Sequence, residues 1–173
     1  MVNLSLLKRN RLPIILFIVV MNHGCKKGPV AEPGFSFAFL TDIHIQPELR
    51  ATEGFKMAIA RANQLKPDFV ITGGDLVMDV LAQTQGRADS LYHLYIETIK
   101  DCTMPVYNTI GNHEVFGYYP ESGVDSSHPL YGDRMYEDRL GRRYYVFEFN
   151  GWRFYILDSI DEWEEGGYYG YVD

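Results

Sequence analysis

The sequence predicts an α/β fold built on a parallel sheet, and three observations carry that expectation. Short apolar runs alternate with amphipathic helical patterns in the order strand, helix, strand, helix, strand, the signature of parallel strands joined by crossovers. Each apolar run ends abruptly in polar or glycine-rich residues, so the strands share a chemically distinct carboxyl edge. At 173 residues, the chain is long enough for one domain with a real core and scarcely for two.

Phe35–Leu40 (FSFAFL) reads as the first strand and runs straight into Thr41-Asp42-Ile43-His44. Thr52–Lys66 places Phe55, Ala58, Ile59, Ala62 and Leu65 on one face of a helix, which Pro67 ends. Phe69–Thr72 (FVIT) is the second strand and delivers Gly73-Gly74-Asp75. A second helical pattern turns Leu91, Leu94, Tyr95, Thr98 and Ile99 inward and stops before Pro105. Val106–Ile110 is the third strand and ends on Gly111-Asn112-His113-Glu114. Residues 115–132, rich in Gly, Pro, Ser and Tyr, read as a long loop, followed by a short helix over Met135–Leu140. Arg143–Phe149 and Trp152–Asp158 flank Asn150-Gly151, a dipeptide that predicts a tight hairpin.

Before the first strand, Lys8, Arg9 and Arg11 precede the apolar run Leu12–Met21, which is too short to span a bilayer as a helix. A basic region followed by such a run predicts an export signal over residues 1–24. Gly24-Cys25 resembles a bacterial lipoprotein processing site, although Asn22 stands where an aliphatic residue is usual. Cys25 is then the expected lipidation site, residues 25–34 a tether, and the protein periplasmic or membrane-anchored. The other cysteine, Cys102, sits where a helix meets a proline turn and reads as a small packing residue; two such thiols make no disulfide framework. The formal net charge is -7, and with three of the bases in the leader the remainder is more acidic still. Duplex nucleic acid is a poor partner for such a surface, because binding it requires phosphate neutralisation by Lys and Arg.

The polar strand ends are the candidate site. Taken singly, each has an ordinary explanation: Asp42 and Asp75 as helix N-caps, and Gly111-Asn112-His113 as a turn. In open α/β sheets, however, ligands bind beyond the carboxyl ends of the strands, and all three ends arrive at that edge. If the chain stays extended past the first strand, alternation points Asp42 and His44 to one side, as a chelate requires. Gly73 and Gly74 allow close backbone approach before Asp75. Two carboxylates, an imidazole and an amide oxygen suit Zn, Mn or Fe better than Ca, which takes oxygen ligands. Asp75, on the middle segment, is placed to bridge two ions, the arrangement commonly used to hydrolyse phosphate esters.

These blocks resemble those of the calcineurin-like metallophosphoesterase superfamily, D-x-H, G-D and G-N-H-[ED], in order and each after a strand. Here they are Asp42-Ile43-His44, Gly74-Asp75 and Gly111-Asn112-His113-Glu114, within a resemblance covering residues 35–173. It implies a layered α/β/β/α sandwich, incomplete at the C-terminus, and two metal ions (Mn, Fe or Zn). By the same likeness, Asp42, His44, Asp75 and Asn112 are metal ligands. His113 is a catalytic residue that hydrogen-bonds the phosphate rather than the metal, and Glu114 supports the ligands from behind. The family's later blocks, a lone His and a G-H-x-H, have no counterpart here; His128 in Ser-Ser-His-Pro-Leu reads as a surface residue. The chain therefore resembles the N-terminal part of a longer protein. Met78 stands where the purple acid phosphatase branch has a ligating Tyr, which argues against a Tyr-ligated iron centre.

The expected function is hydrolysis of phosphomonoesters or phosphodiesters by metal-activated water. The alternative is a catalytically silent binding module, or a fragment with an incomplete metal site. Tyr118, Tyr119 and Tyr131 in the long loop are either selectivity elements or ordinary packing residues.

Overall fold

The computed structural model describes residues 34–163 and 166–172. The export signal, Cys25 and the tether up to residue 33 lie outside the described residues. The predicted core sheet is present: β1 (Phe37–Leu40), β2 (Phe69–Thr72) and β3 (Val106–Tyr107) are parallel, in the order β1-β2-β3, with Phe37 opposite Phe69 and Val70 opposite Val106. The central strand is buried along its whole length, as a strand covered on both faces must be. The crossovers are α1 (Ala51–Leu65) and α2 (Gln85–Ile99).

Helix α1 buries Phe55, Ile59 and Ala62, and ends where Lys66 turns left-handed and its N–H bonds to the Ala62 carbonyl, just before Pro67. Leu65, expected on the inner face, is instead exposed in that last turn. Helix α2 starts on Thr84, whose hydroxyl oxygen accepts the Arg87 N–H. Its buried face runs through Ala88, Leu91, Tyr92, Tyr95 and Thr98, while Leu94 and Ile99 are only partly covered. Leu91, Tyr95 and Thr98 thus lie inward as expected, and the stripe is shifted to take in Tyr92 in place of Leu94. The Phe55 and Tyr95 rings stack between the two helices.

The third strand is shorter than its apolar run. Beyond Tyr107 the backbone leaves the ladder because side chains satisfy it: Tyr145 donates to the Asn108 carbonyl at 2.9 Å, and the Thr109 N–H donates to Thr72 Oγ1 at 3.1 Å. Tyr95 also donates to Asn108 Oδ1, at 2.6 Å.

The expected hairpin forms from β4 (Tyr145–Phe149) and β5 (Trp152–Ile156), with Asn150 and Gly151 both at positive φ, the signature of a tight primed turn. It makes a second sheet on the face of the first opposite the helices. Between the sheets Phe69, Ile71 and Ile156 are buried, with Tyr107, Phe147 and Phe154 packed against them. The helix side holds the larger core, which also takes in α3 (Arg134–Leu140) through Met135 and Tyr136. The layering among the described residues is α/β/β. The long loop is pinned by a bridge between Phe116 and Gly132, and its first residues, Val115 to Tyr118, are buried in the core while most of the rest faces solvent. A second hairpin, β6 (Ile160–Glu162) with β7 (Tyr168–Gly170), was not legible from its irregular pattern.

Candidate metal centre

The three strand ends converge. Past β1, the Asp42 N–H donates to the Gly74 carbonyl, and the His44 and Ile45 N–H groups donate to Asp75 and Leu76 carbonyls. These bonds lash the first segment to the second. The chain there is not extended, as alternation had assumed: Asp42 and His44 both have φ near +50°, and so does Asp75. Left-handed backbone is uncommon outside glycine and is tolerated where surrounding bonds enforce it, often at functional sites. Two left-handed residues flanking Ile43 bring both side chains to one side by a different route, with Ile45 buried immediately beyond. Neither aspartate caps a helix: α1 begins after Arg50 and α2 after Thr84.

His44 Nε2 lies 3.9 Å from Asp42 Oδ1 and 3.8 Å from Asp75 Oδ2. These separations are too long for hydrogen bonds and fit donors that share an ion, since ligands bonded at about 2.0–2.2 Å stand roughly 3–4 Å apart. His44 Nδ1 is buried with no hydrogen-bond partner, which leaves Nε2 as the nitrogen presented to the carboxylates. Ligand atoms of His44, Asp75 and His113 all lie within 4.8 Å of one another. The Asp75 carboxylate faces two ways: Oδ2 toward His44, and Oδ1 toward the third segment, where it accepts the His113 N–H at 3.3 Å. Asn112 opens the single turn Asn112–Glu114, which brings it to the same edge, half-buried. Asp42 is the most exposed of the group, with Thr41 donating to its Oδ2 at 2.7 Å. The spacing of His44, Asp75 and His113 fits a borderline divalent ion, whereas Asp42 stands outside that group, near His44 alone.

Gly111 is needed for space. Its φ of -122° is open to any residue, but a Cβ there would sit 2.4 Å from Asp75 Oδ1 and 2.5 Å from the Asp75 backbone nitrogen. Gly74 meets it from the other side, at positive φ and 2.9 Å from the Gly111 Cα by the same measure.

Beneath them lies Glu114, fully buried. Its carboxylate accepts the N–H groups of Asp75 (2.9 Å), Leu76 (2.7 Å), Val77 (3.0 Å) and Gly111 (2.7 Å). One side chain on the third segment thus holds the backbone of the second. Burial pushes its carboxyl up to about 7, against the pull of the amide bonds. Two further anchors come from α2, the Tyr92 hydroxyl on the Glu114 carbonyl at 2.7 Å and the Tyr95 hydroxyl on Asn108. Sequence reasoning turned Tyr95 inward but missed Tyr92 and the task of both hydroxyls, since inward aromatics in a helix look alike whether or not a hydroxyl has work to do. The His128 ring packs against Phe116, and its Nδ1 accepts the Leu130 N–H.

The sequence model of the calcineurin-like phosphoesterase family matches residues 35–170. A search of curated proteins finds no significant match. Among solved structures, a dimetal phosphatase from Danio rerio is similar with a TM-score of 0.42 and 16% identity, over 46% of this chain and 30% of that one. The present chain therefore spans less than a third of that relative's length. With the family pattern running from before the first strand to the last described hairpin, the chain belongs to the calcineurin-like phosphoesterase family.

Proposed function

We propose that the protein hydrolyses phosphate esters at the carboxyl edge of its parallel sheet. The observation that carries this is the gathering of ligand atoms of His44, Asp75 and His113 within 4.8 Å of one another, with Asp42 Oδ1 a further 3.9 Å from His44 Nε2. Asp42, His44, Asp75 and Asn112 would hold two ions of the Mn, Fe or Zn type. When bound, such ions supply Lewis acidity toward the phosphoryl oxygens and lower the pKa of water.

The chain's own residues do the rest. Asp75 presents one oxygen to each side of the site, and its charge would offset that of bound cations. Glu114 keeps the Asp75 backbone rigid, so that its carboxylate needs little reorganisation when substrate arrives. His113 donates a hydrogen bond to the phosphate and steadies charge on the departing oxygen. Export through residues 1–24, with lipidation at Cys25, belongs to the same proposal. Fatty-acid labelling that is present in the wild type and lost in Cys25→Ala supports the anchor, and its absence from both discards it.

The test is a panel of phosphomonoesters and phosphodiesters on the full-length protein with added Mn, Zn or Fe. Metal-dependent hydrolysis, abolished by chelation and restored by metal, supports the proposal. Tight metal binding with no turnover on any ester class would favour the silent binding module instead.

A further inference from the structure

We propose a second binding site on the open side of β3, a cleft that takes a small organic anion built on a flat apolar body. None of the proposed metal ligands lines it, and it stands independently of the hydrolytic reading.

Strand β3 has β2 on one side and no strand on the other among the described residues. On that open side its residues lie across from the end of α3 and the start of β4, and the space between them measures about 420 Å3. Small-molecule sites commonly span about 300–1,000 Å3. Tyr107, Leu140 and Val146 give the cleft apolar walls, and Arg142 is its one charged lining residue. No carboxylate lines it, although the chain carries 23 Asp and Glu residues. Arg139 is paired with Asp89 and Asp138, and Arg143 with Asp133 and Asp158. Arg142, between them in sequence, has no ion pair or hydrogen bond among the described residues. Its planar fork of donors is left open to an oxyanion.

An unpaired hydroxyl lies deeper in. Tyr136 lines the cleft and is fully buried, and its hydroxyl has no hydrogen-bond partner among the described residues. Buried tyrosine hydroxyls are normally paired, so an orphan marks a place where something else bonds. The neighbouring hydroxyls are already spent, Tyr145 on the Asn108 carbonyl and Tyr95 on Asn108 Oδ1. Burial, and after it the adjoining Tyr145, raises Tyr136 above the ordinary phenol value, so it remains a proton donor. Tyr145 and Asn108 line the same cleft, which sets the free hydroxyl at its inner end. Arg142 is exposed and stands at the mouth. The ligand therefore carries a carboxylate at its outer end, an acceptor oxygen at its inner end, and an apolar ring between them.

Isothermal titration of the full-length protein with 4-hydroxybenzoate, which has those three parts, tests the site. The wild type is expected to bind it saturably with a Kd below about 1 mM. Arg142→Ala, a change at an exposed position that leaves the core alone, is expected to weaken binding about tenfold or more. The uncharged 4-hydroxybenzamide should bind the wild type more weakly by a similar factor. Tyr136→Phe is expected to weaken binding about fivefold, and to leave the thermal midpoint of the ligand-free protein unchanged or raised, since the deleted hydroxyl had no partner. Inorganic phosphate, an anion without the ring, should displace the aromatic acid only weakly. No saturable binding by the wild type in that range overturns the proposal. Binding that both substitutions leave unchanged, or that inorganic phosphate displaces as well as the aromatic acid itself does, also overturns it. So does a lowered midpoint in ligand-free Tyr136→Phe, which would show the hydroxyl to be satisfied without a ligand. Hydrolysis of esters enters none of these readouts, so the site and the hydrolytic reading stand or fall separately.

Discussion

Single residues at this edge fall into groups that mutation separates. Asp75 touches both sides of the site, so Asp75→Asn, which keeps the shape and removes the charge, is expected to lower turnover of the full-length protein about a thousandfold or more. Metal content measured by elemental analysis should fall with it, while the circular dichroism stays unchanged. His113→Ala is expected to lose roughly a hundredfold in turnover with nearly normal metal content, because the role proposed for it lies in the transition state. Gly111→Ala probes space alone: its backbone angles suit alanine, but the new methyl group would meet the Asp75 amide and carboxylate. Metal affinity is expected to drop in that variant, and an unaltered affinity would mean that the second and third segments sit further apart than described. The chemical identity of Asp42, His44, Asp75 and Asn112 was legible in the sequence because short blocks carry them at strand ends. Their geometry was not, since left-handed angles at Asp42, His44 and Asp75 arise from hydrogen bonds between segments more than thirty residues apart, about which no local pattern carries information.

At the scale of elements, the site depends on how the third segment is fastened to its neighbours. The two Glu114 oxygens each receive two backbone N–H groups, so Glu114→Gln must turn a donor amide toward donors. A loss of about 2–3 kcal/mol is expected, the scale of a buried group left unsatisfied, read from the denaturant midpoint. Tyr92→Phe leaves the Glu114 carbonyl without its buried donor and is expected to cost about 1–2 kcal/mol, together with weaker metal binding. An equal loss of stability with metal affinity untouched would show that this bond supports only the core. Strand and helix identities were readable from periodicity, and the β4–β5 turn from Asn150-Gly151. The end of β3 was not, because Asn108 and Thr109 exchange ladder bonds for bonds to side chains on other elements. The inner face of α2 was placed correctly at Leu91, Tyr95 and Thr98 but missed Tyr92, which is drawn inward by a polar partner as well as by apolar packing.

For the whole molecule, two cores on opposite faces of one parallel sheet leave the carboxyl ends of its strands as the place where charged groups from three segments meet. The central strand supports both cores. Phe69 is fully buried beneath the rings of Phe37, Tyr107, Phe147 and Phe154, and Phe69→Ala is expected to destabilise the fold by about 3–5 kcal/mol without changing which residues form the site. The layered class was visible in the order of apolar runs, whereas the burial of the first residues of the long loop and the β6–β7 hairpin depend on tertiary contacts, such as the Gly167 N–H on the Tyr118 carbonyl. The central claim is that the strand ends form a metal centre. Anomalous diffraction from crystals of the full-length protein grown with Mn or Zn tests it most directly. The account predicts anomalous peaks within coordination distance of His44 Nε2 and the carboxylates of Asp42 and Asp75, with His113 outside that distance. No peak at this edge at saturating metal, or ions bound only elsewhere on the acidic surface, would contradict it.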